Sequence, residues 1–191
     1  MASLKGTRTE KNLLASFAGE SQARNRYTYF ASAAKKEGYE QVSALFLETA
    51  ENEMEHAKRF FKFLEGGTVE FTASFPAGTI GSTLENLKAA AAGEHEENTK
   101  LYPEAGSIAE KEGFMDVAAA FRSITKVEVE HEKRYLKLAG NIESNRVFSK
   151  ETKVRWVCRN CGYVHEGTDA LEKCPACLHP KAYFELKAEN Y

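Results

Sequence analysis

The 191-residue chain has only four cysteines, four prolines and one tryptophan, and it has no long run of apolar residues. A helix that crosses a membrane needs about 20 consecutive apolar residues, so we expect no membrane partner. The polar segment 1–11 also lacks the apolar stretch of a secretory leader. The net charge of −2 argues against nucleic acid as a partner, because phosphate binding needs a basic surface.

Cysteine is absent from the first 157 positions, and all four cysteines lie between positions 158 and 177 in paired spacing. None is left over for a structural disulfide, which favours a cytoplasmic location. The hydrophobic content of 42% and the charged content of 28% are typical of a folded domain rather than of a disordered chain.

Helical periodicity dominates the sequence as far as about position 145. The pattern predicts four long helices, at roughly 9–36, 39–65, 82–112 and 114–143. Gly38 and Gly113 suit helix ends, where a left-handed residue is common. Segment 68–82 is too long for a tight turn, and it resembles the crossover of a four-helix bundle. The fold class is therefore mainly α.

An internal repeat divides this helical part into two related hairpins. Residues 34–63 align with 109–138 at an offset of 75, with 13 identities in 30 positions. Upstream the offset becomes 74, since Gly19-Glu20 matches Gly93-Glu94. Helix three thus has one extra residue between Glu97 and Tyr102. Such insertions are often absorbed as π-bulges, so we predict a π-bulge or kink near 97–103.

The phrase Glu-x-x-His occurs once in each half of the repeat, as Glu53–His56 and as Glu128–His131. Residues three apart in a helix share a face, so each pair can direct a carboxylate and an imidazole at one point. Two such pairs and a lone Glu from each of two other helices form the ligand set of a dinuclear carboxylate site. The predicted ligands are Glu20, Glu53, His56, Glu94, Glu97, Glu128 and His131.

Glu97 has no partner in the repeat, where Ala23 occupies the matching position. It shares a helix face with Glu94 and gives one half of the site an additional carboxylate. Tyr27 and Tyr102 match each other. They are interpreted either as core aromatics or as hydrogen-bond donors to the ligand carboxylates.

The tail carries Cys158-x-x-Cys161 and Cys174-x-x-Cys177, a strong signal for a tetrahedral thiolate site. Zinc and iron both accept four thiolates, so the spacing leaves the metal open.

The tail is too short to bury much core without a metal, and strands are predicted at 154–157 and 182–186. We predict a bundle domain at 1–147 and a metal domain at 148–191. Two segments resemble the metal-binding loops of rubredoxins and favour iron: Val157-Cys158-Arg159-Asn160-Cys161-Gly162-Tyr163 and Cys174-Pro175-Ala176-Cys177. Leu178 departs from this pattern, because free rubredoxins usually have glycine at that position.

The order of these motifs over the whole chain resembles the rubrerythrin family. The resemblance implies a ferritin-like bundle with a rubredoxin-like domain. It also implies a non-haem di-iron peroxidase that reduces hydrogen peroxide to water under oxidative stress. In that family pattern Glu53 and Glu128 bridge the irons, Glu20 is terminal on the first iron, and Glu94 and His131 complete the second.

The resemblance further implies that Glu97 and His56 alternate on the first iron between oxidation states. It implies a homodimer in which the thiolate domain of one subunit approaches the di-iron site of the other. The expected cofactors are two non-haem irons and one iron in the tetracysteine site, where zinc is the alternative. The expected electron donor is a rubredoxin, a ferredoxin or an NAD(P)H-dependent reductase.

Two other functions remain open from the residues. Ferritin-type bundles share these carboxylates, so the chain could be a ferroxidase or an iron-handling protein. A bundle with structural metals and a zinc ribbon could instead be non-catalytic. The metals that the chain binds separate these hypotheses.

Overall fold

The structure is a computed structural model, and it describes residues 3–190. Its first part is a helical bundle with a long irregular crossover between the second and third helices. The helices are α1 (Arg8–Lys36), α2 (Glu40–Phe61), α3 (Thr83–Glu96), α4 (Tyr102–Lys111) and α5 (Met115–Glu143). Helix α1 packs on α2, and α3 and α4 pack on α5, as the repeat of two hairpins predicts. None of the helices in the described residues is long and apolar enough to cross a membrane.

Local chemistry explains where the helices begin and end. The Thr7 side chain accepts a hydrogen bond from the Glu10 backbone and caps α1, and Ser82 forms a reciprocal capping box with Glu85 at the start of α3. Gly38 and Gly113 follow α1 and α4 with φ values of +83° and +87°, the left-handed conformation that glycine adopts without strain. The predicted glycine ends are confirmed.

Helix α2 ends at Phe61, so the predicted extension to residue 65 was wrong. The backbone N–H groups of Phe63 and Leu64 donate to carbonyls three residues earlier instead of four. The α-helical hydrogen-bond pattern therefore gives way to tighter turns before Gly66. The Glu65 carboxylate then accepts a 2.9 Å hydrogen bond from the Leu4 backbone, which fixes the N-terminal segment against this end of the bundle.

The third helix of the bundle is interrupted by a π-helical turn at Glu97–Leu101, between α3 and α4. The Tyr102 N–H donates to the Glu97 carbonyl, five residues back. The turn lies where the repeat offset changes, and Pro103 follows it without an N–H to donate. The predicted π-bulge is confirmed, and the two hairpins remain in register on either side of it.

Two apolar clusters occupy the bundle core, one towards each end. One contains Tyr27, Phe46 and Tyr135, and the other contains Phe60, Tyr102 and Phe121, among others. Helices α1, α2 and α5 each contribute residues to both clusters, whereas α3 contributes to the first and α4 to the second. The buried glutamates Glu20, Glu53, Glu94 and Glu128 lie between the two clusters along the chain. The fold therefore places a polar layer between two dry layers.

The C-terminal part is a three-stranded antiparallel sheet in the order β2-β1-β3. The strands are β1 (Ser149–Cys158), β2 (Val164–Asp169) and β3 (Phe184–Leu186). The sequence predicted part of β1 but missed β2, because that strand contains few β-branched or aromatic residues. The predicted strand at 182–186 was wrong at its start, since Lys181–Tyr183 form a 3₁₀ turn and β3 begins at Phe184.

The sheet contacts the bundle beside the end of α1. The rings of Tyr39 and Phe148 stack with centroids 6.1 Å apart and planes within 3°. A Cβ atom at Gly38 would lie 3.6 Å from the Ala182 side chain. The predicted domain division at 147/148 falls between α5 and β1 and stays a prediction.

We predict that Phe121→Ala lowers the free energy of unfolding of the metal-free protein by about 3–5 kcal/mol, since it removes a fully buried ring. The Phe121 ring lies against Phe60 and Tyr102, at centroid distances of 4.8 and 5.7 Å. Denaturant unfolding measures the loss. Leu136→Ala, at a 53% exposed position on the same helix, should change the value by only about 0.5 kcal/mol. Equal losses for both variants would contradict this packing.

Candidate metal centre

Six of the seven predicted bundle ligands converge in the polar layer. They form two overlapping groups, in each of which one ligand atom per residue lies within 4.8 Å of the others. The first group is Glu20, Glu53, His56 and Glu128, and the second is Glu53, Glu94, Glu128 and His131. Glu53 and Glu128 belong to both groups. The arrangement therefore provides two neighbouring positions for ions that share two carboxylates.

The donor atoms of these groups lie close together, and only some of them are hydrogen-bonded, such as His56 Nδ1 to Glu53 Oε2 at 2.9 Å. The His131 Nδ1 atom lies 2.9 Å from a Glu128 oxygen and 3.1 Å from a Glu53 oxygen. Buried atoms without a hydrogen-bond partner include His131 Nδ1, Glu20 Oε2, Glu53 Oε1, Glu94 Oε2 and both carboxylate oxygens of Glu128. Buried polar atoms are nearly always paired in proteins, so this concentration of unpaired atoms fits two bound cations. Oxygen and imidazole donors suit iron, manganese or zinc.

Burial and repulsion between the carboxylates also favour bound cations at this cluster. Burial and the neighbouring carboxylates raise the pKa of Glu20 well above its ordinary value. They also raise the pKa of Glu94 to about 8. Burial would raise the pKa of Glu53 too, but the close approach of the His131 and His56 rings lowers it to about 2. The metal-free cluster therefore holds protons in the places where cations would neutralise the carboxylates.

Two tyrosines orient the lone carboxylates across the two hairpins. The Tyr27 hydroxyl on α1 donates to Glu94 Oε1 on α3. The Tyr102 hydroxyl on α4 donates to Glu20 Oε1 on α1, at 2.6 Å. In each glutamate the other oxygen, Oε2, is the unpaired one. The two rings pack in the core, and each hydroxyl leaves one oxygen of its glutamate without a protein partner.

Glu97 is the predicted ligand that lies outside both groups. It begins the π turn, and its Oε1 atom lies 3.9 Å from the Cβ position of Gly19. It lines a cavity of about 370 Å³ under the crossover, together with Phe75 and Arg26. Burial and nearby carboxylates raise its pKa well above the ordinary value. The structure therefore holds His56 within the cluster and Glu97 beside it, and the role of Glu97 as a ligand stays a prediction.

Two residues near the site escaped the sequence analysis. Asn52 Oδ1 lies 3.3 Å from His131 Nε2, and Phe75 covers the cavity beside Glu97. Identical residues in the two halves of the repeat do not reveal Asn52, because Val127 stands at the matching position. Phe75 belongs to the crossover, which has no counterpart in the repeat. The difference between Asn52 and Val127 was itself a signal that could have been read.

The four cysteines form a second site in the tail. Their sulfurs lie within 4.8 Å of one another, with Sγ–Sγ distances of 3.7 Å for Cys158–Cys177 and 3.6 Å for Cys161–Cys174. These distances fit a tetrahedron with metal–sulfur bonds of about 2.3 Å, whose edges are about 3.8 Å. All four thiols are free of disulfides. The geometry thus fits a tetrathiolate metal site and accepts either iron or zinc.

Each cysteine pair is followed by a left-handed residue. Gly162 has a φ of +78°, and Leu178 takes the matching place with a φ of +62°. The N–H groups of both residues donate to the carbonyl of the first cysteine of their pair, at 2.8 and 2.9 Å. The departure from glycine at position 178 thus leaves the knuckle intact, although a leucine adopts this conformation with strain.

These observations define the class of the protein: a four-helix bundle with a dinuclear carboxylate–histidine site and a tetrathiolate domain. The Rubrerythrin family profile matches residues 11–139, and the profile of the rubrerythrin rubredoxin-like domain matches residues 156–185. The chain belongs to the rubrerythrin family, and it is a di-iron protein of that type, related to oxidoreductases.

Individual relatives agree with this assignment. The rubrerythrin of Porphyromonas gingivalis is 63% identical over 189 residues, which cover 99% of this chain and 94% of that relative. The rubrerythrin of Nitratidesulfovibrio vulgaris is 60% identical over 191 residues, all of both chains. The fold is similar to that of fully reduced nigerythrin, an all-ferrous structure, with a TM-score of 0.63 and 32% identity over 96% of this chain and 91% of that chain.

For the metal-free protein we predict a melting temperature that falls as the pH rises from about 5 to about 9. The pKa of Glu94 is raised from 4.5 to about 8 and that of His56 from 6.5 to about 9. Both groups hold their protons more tightly in the folded state. Their stabilisation is therefore complete at low pH and is lost as the pH rises through the folded-state values. Thermal unfolding in the presence of a chelator measures the change.

A matched pair of variants tests the origin of this slope. Glu94→Gln removes one of the titrating groups and should flatten the fall in melting temperature. Glu130→Gln changes an exposed carboxylate that pairs with Lys133, and it should leave the slope unchanged. A melting temperature that rises over this pH interval in the unmutated protein would contradict the proton-binding cluster.

Proposed function

We propose that the chain is a non-haem di-iron peroxidase that reduces hydrogen peroxide to water, with electrons relayed through an iron–tetracysteine site. The observation that supports this most strongly is the set of unpaired buried donors around two adjacent ion positions. The proposed ligands are the seven predicted side chains of the bundle and the four cysteines. A pair of ferrous ions held by these residues would supply two electrons, which with two protons reduce one hydrogen peroxide to two waters.

The bundle residues fix the positions of the donors and exclude water. Glu53 and Glu128 are at most 1% exposed, and they connect the two ion positions. The hydroxyls of Tyr27 and Tyr102 hold Glu94 and Glu20 in place before any oxidant arrives. Such preorganisation lets the site react without first moving its ligands.

The cavity beside Glu97 supports a small oxidant as the substrate. Its volume of about 370 Å³ accommodates peroxide together with several waters. Phe75 on the crossover covers it, and Gly19 lies beside the Glu97 carboxyl group without a side chain to fill the space. Arg26 adds a positive charge to the lining. We propose that peroxide enters by this route.

One side of the four-cysteine site is exposed, which supports its proposed role in passing electrons to the bundle. Cys161 is exposed and Cys177 is partly exposed, so a donor can approach one side of the tetrathiolate site. The proposed donor is a rubredoxin, a ferredoxin or an NAD(P)H-dependent reductase. A homodimer that brings this edge to the bundle of the second subunit would shorten the electron path. Free thiols and a reducing donor suit the cytoplasm.

The direct test compares oxidants on the fully reduced, iron-loaded chain in a stopped-flow instrument. We expect peroxide to oxidise the bundle site faster than oxygen does at equal concentration, with one peroxide consumed for every two electrons. Faster reaction with oxygen, accompanied by growth of a ferric mineral, would overturn the peroxidase in favour of an iron-handling function. A colourless protein that contains only zinc would overturn both.

We predict that Cys161→Ser slows reduction of the bundle site by a protein donor by about 10-fold or more. Changing a residue that only supports a metal ligand already costs about 10–100-fold in affinity or activity. The same variant, reduced chemically with dithionite, should react with peroxide at the rate of the unmutated chain. Thr168→Ser, at an exposed position of the same domain, is the control and should leave both rates unchanged. Equal slowing of both steps in Cys161→Ser would exclude the relay.

A further inference from the structure

The cavity under the crossover is lined by hydrogen-bond donors that the chain itself does not use. The Asn12 Nδ2 atom is buried without a hydrogen-bond partner in the described part of the chain, and Asn12 lines this cavity. The partly buried Arg26 side chain lines it too, and it forms no hydrogen bond or ion pair with any other residue between 3 and 190. Buried polar groups are nearly always paired, so these two donors indicate a ligand with acceptor oxygens.

The internal repeat separates Asn12 from an asparagine with a structural task. At the offset of 74, Asn12 on α1 matches Asn86 on α3. The Asn86 side chain holds the end of the crossover, because its Nδ2 donates to the Gly81 carbonyl and its Oδ1 accepts from the Gly81 N–H, both at 2.9 Å. The amide donor that has a backbone partner in the second half is therefore unused in the first half.

Two matched glycines make room for a ligand between α1 and α3. Gly19 and Gly93 both line the cavity. A Cβ atom at Gly93 would meet nothing within 4 Å, and one at Gly19 would lie 3.9 Å from Glu97 Oε1. Tyr102 also lines the cavity, and its hydroxyl donates to the predicted ligand Glu20. The cavity therefore extends from the unused donors to the metal layer.

The charges that line the cavity favour a neutral ligand. Arg26 and Lys100 supply two positive charges, and Glu96 and Glu97 supply two carboxyl groups, so neither sign dominates. Hydrogen peroxide has O–H groups that donate and oxygens that accept, and it can use both kinds of partner. Molecular oxygen has no O–H group and is a poor acceptor. A site built around hydrogen bonds rejects a competitor that cannot form them.

We propose that Asn12 and Arg26 hold hydrogen peroxide in this cavity before it reaches the metals and thereby select it over oxygen. The inference rests on the proposed peroxidase function and deepens it. The Asn12 amide and the Arg26 guanidinium donate to the peroxide oxygens, and the Glu97 carboxyl group is available to accept from an O–H. Water occupies these donors when peroxide is absent, and peroxide displaces it because peroxide reproduces its hydrogen bonds.

The direct test is peroxide binding to the zinc-loaded chain, in which the bundle metals cannot reduce it. NMR follows the side-chain amide of Asn12 and the Nε–H of Arg26 during a titration with hydrogen peroxide, and intact mass confirms that the cysteines stay unoxidised. We expect both signals to shift and to saturate together. Asn12→Leu and Arg26→Gln should each weaken binding by about 3–10-fold, the value of one hydrogen bond.

Asn25→Leu is the matched control, because Asn25 is an exposed asparagine on the same helix that does not line this cavity. It should leave the peroxide affinity unchanged. Shifts that do not saturate, or an affinity that is the same in Asn12→Leu as in the unmutated chain, would overturn the inference.

The second readout is the choice of oxidant by the reduced, iron-loaded chain. Asn12→Leu should lower the rate with dilute peroxide by about 3–10-fold and should lower the ratio of the peroxide rate to the oxygen rate by a similar factor. Asn12→Gln keeps an amide donor and should restore most of that ratio. A merely structural role would slow both oxidants alike, so an unchanged ratio in Asn12→Leu would count against selection by this residue.

The two readouts separate this inference from the proposed function. A zinc-loaded chain that binds peroxide through Asn12 and Arg26, in a protein that fails to reduce peroxide when loaded with iron, would refute the peroxidase and leave the binding site standing. A chain that reduces peroxide faster than oxygen, with the same ratio in Asn12→Leu, would leave the peroxidase standing and refute the inference.

Discussion

The constraint on which the structure depends is the burial of several carboxylates in one layer of a helical bundle. Each of them would be solvated by water in the unfolded chain, and none can remain ionised in a dry core without a positive partner. The two imidazoles supply part of that charge, as the lowered pKa of Glu53 shows. In the metal-free protein the raised pKa values of Glu20 and Glu94 let protons neutralise the remaining charge, and bound cations take the place of those protons. The metals are thus part of what holds this layer together, as well as the source of its chemistry.

The architecture surrounds that layer with supports that do not bind metal themselves. Apolar clusters above and below exclude water, and the tyrosine hydroxyls join one hairpin to the other through the lone glutamates. Because each hairpin supplies the tyrosine that orients the other hairpin's glutamate, the site forms only when the two halves are docked. The π turn breaks this symmetry on one side and places Glu97 next to the cavity. The near-symmetric fold therefore carries an asymmetric site, a property that suits a pair of metals with different tasks.

Much of this could be predicted from the sequence, because the repeat carries information about spatial partnership that a single helix pattern lacks. It indicated the pairing of hairpins, six converging ligands and the insertion that became the π turn. What it missed has physical causes. Strand β2 has too few strand-forming residues to stand out, and its pairing depends on contacts made by the knuckle. The end of α2 depends on hydrogen bonds three residues back, which no residue type in 61–65 specifies. The position of Glu97 outside the cluster and the contact of Asn52 with His131 are tertiary distances, and only the assembled bundle determines them.

The proposed chemistry requires two cations that share Glu53 and Glu128. Anomalous diffraction at the iron edge from crystals of the iron-loaded chain tests this requirement. We expect two peaks in the bundle about 3.5–4 Å apart, both within bonding distance of these two carboxylates, and a third peak among the cysteine sulfurs. A single peak in the bundle, or none, with the carboxylates hydrogen-bonded to waters or to each other, would contradict it.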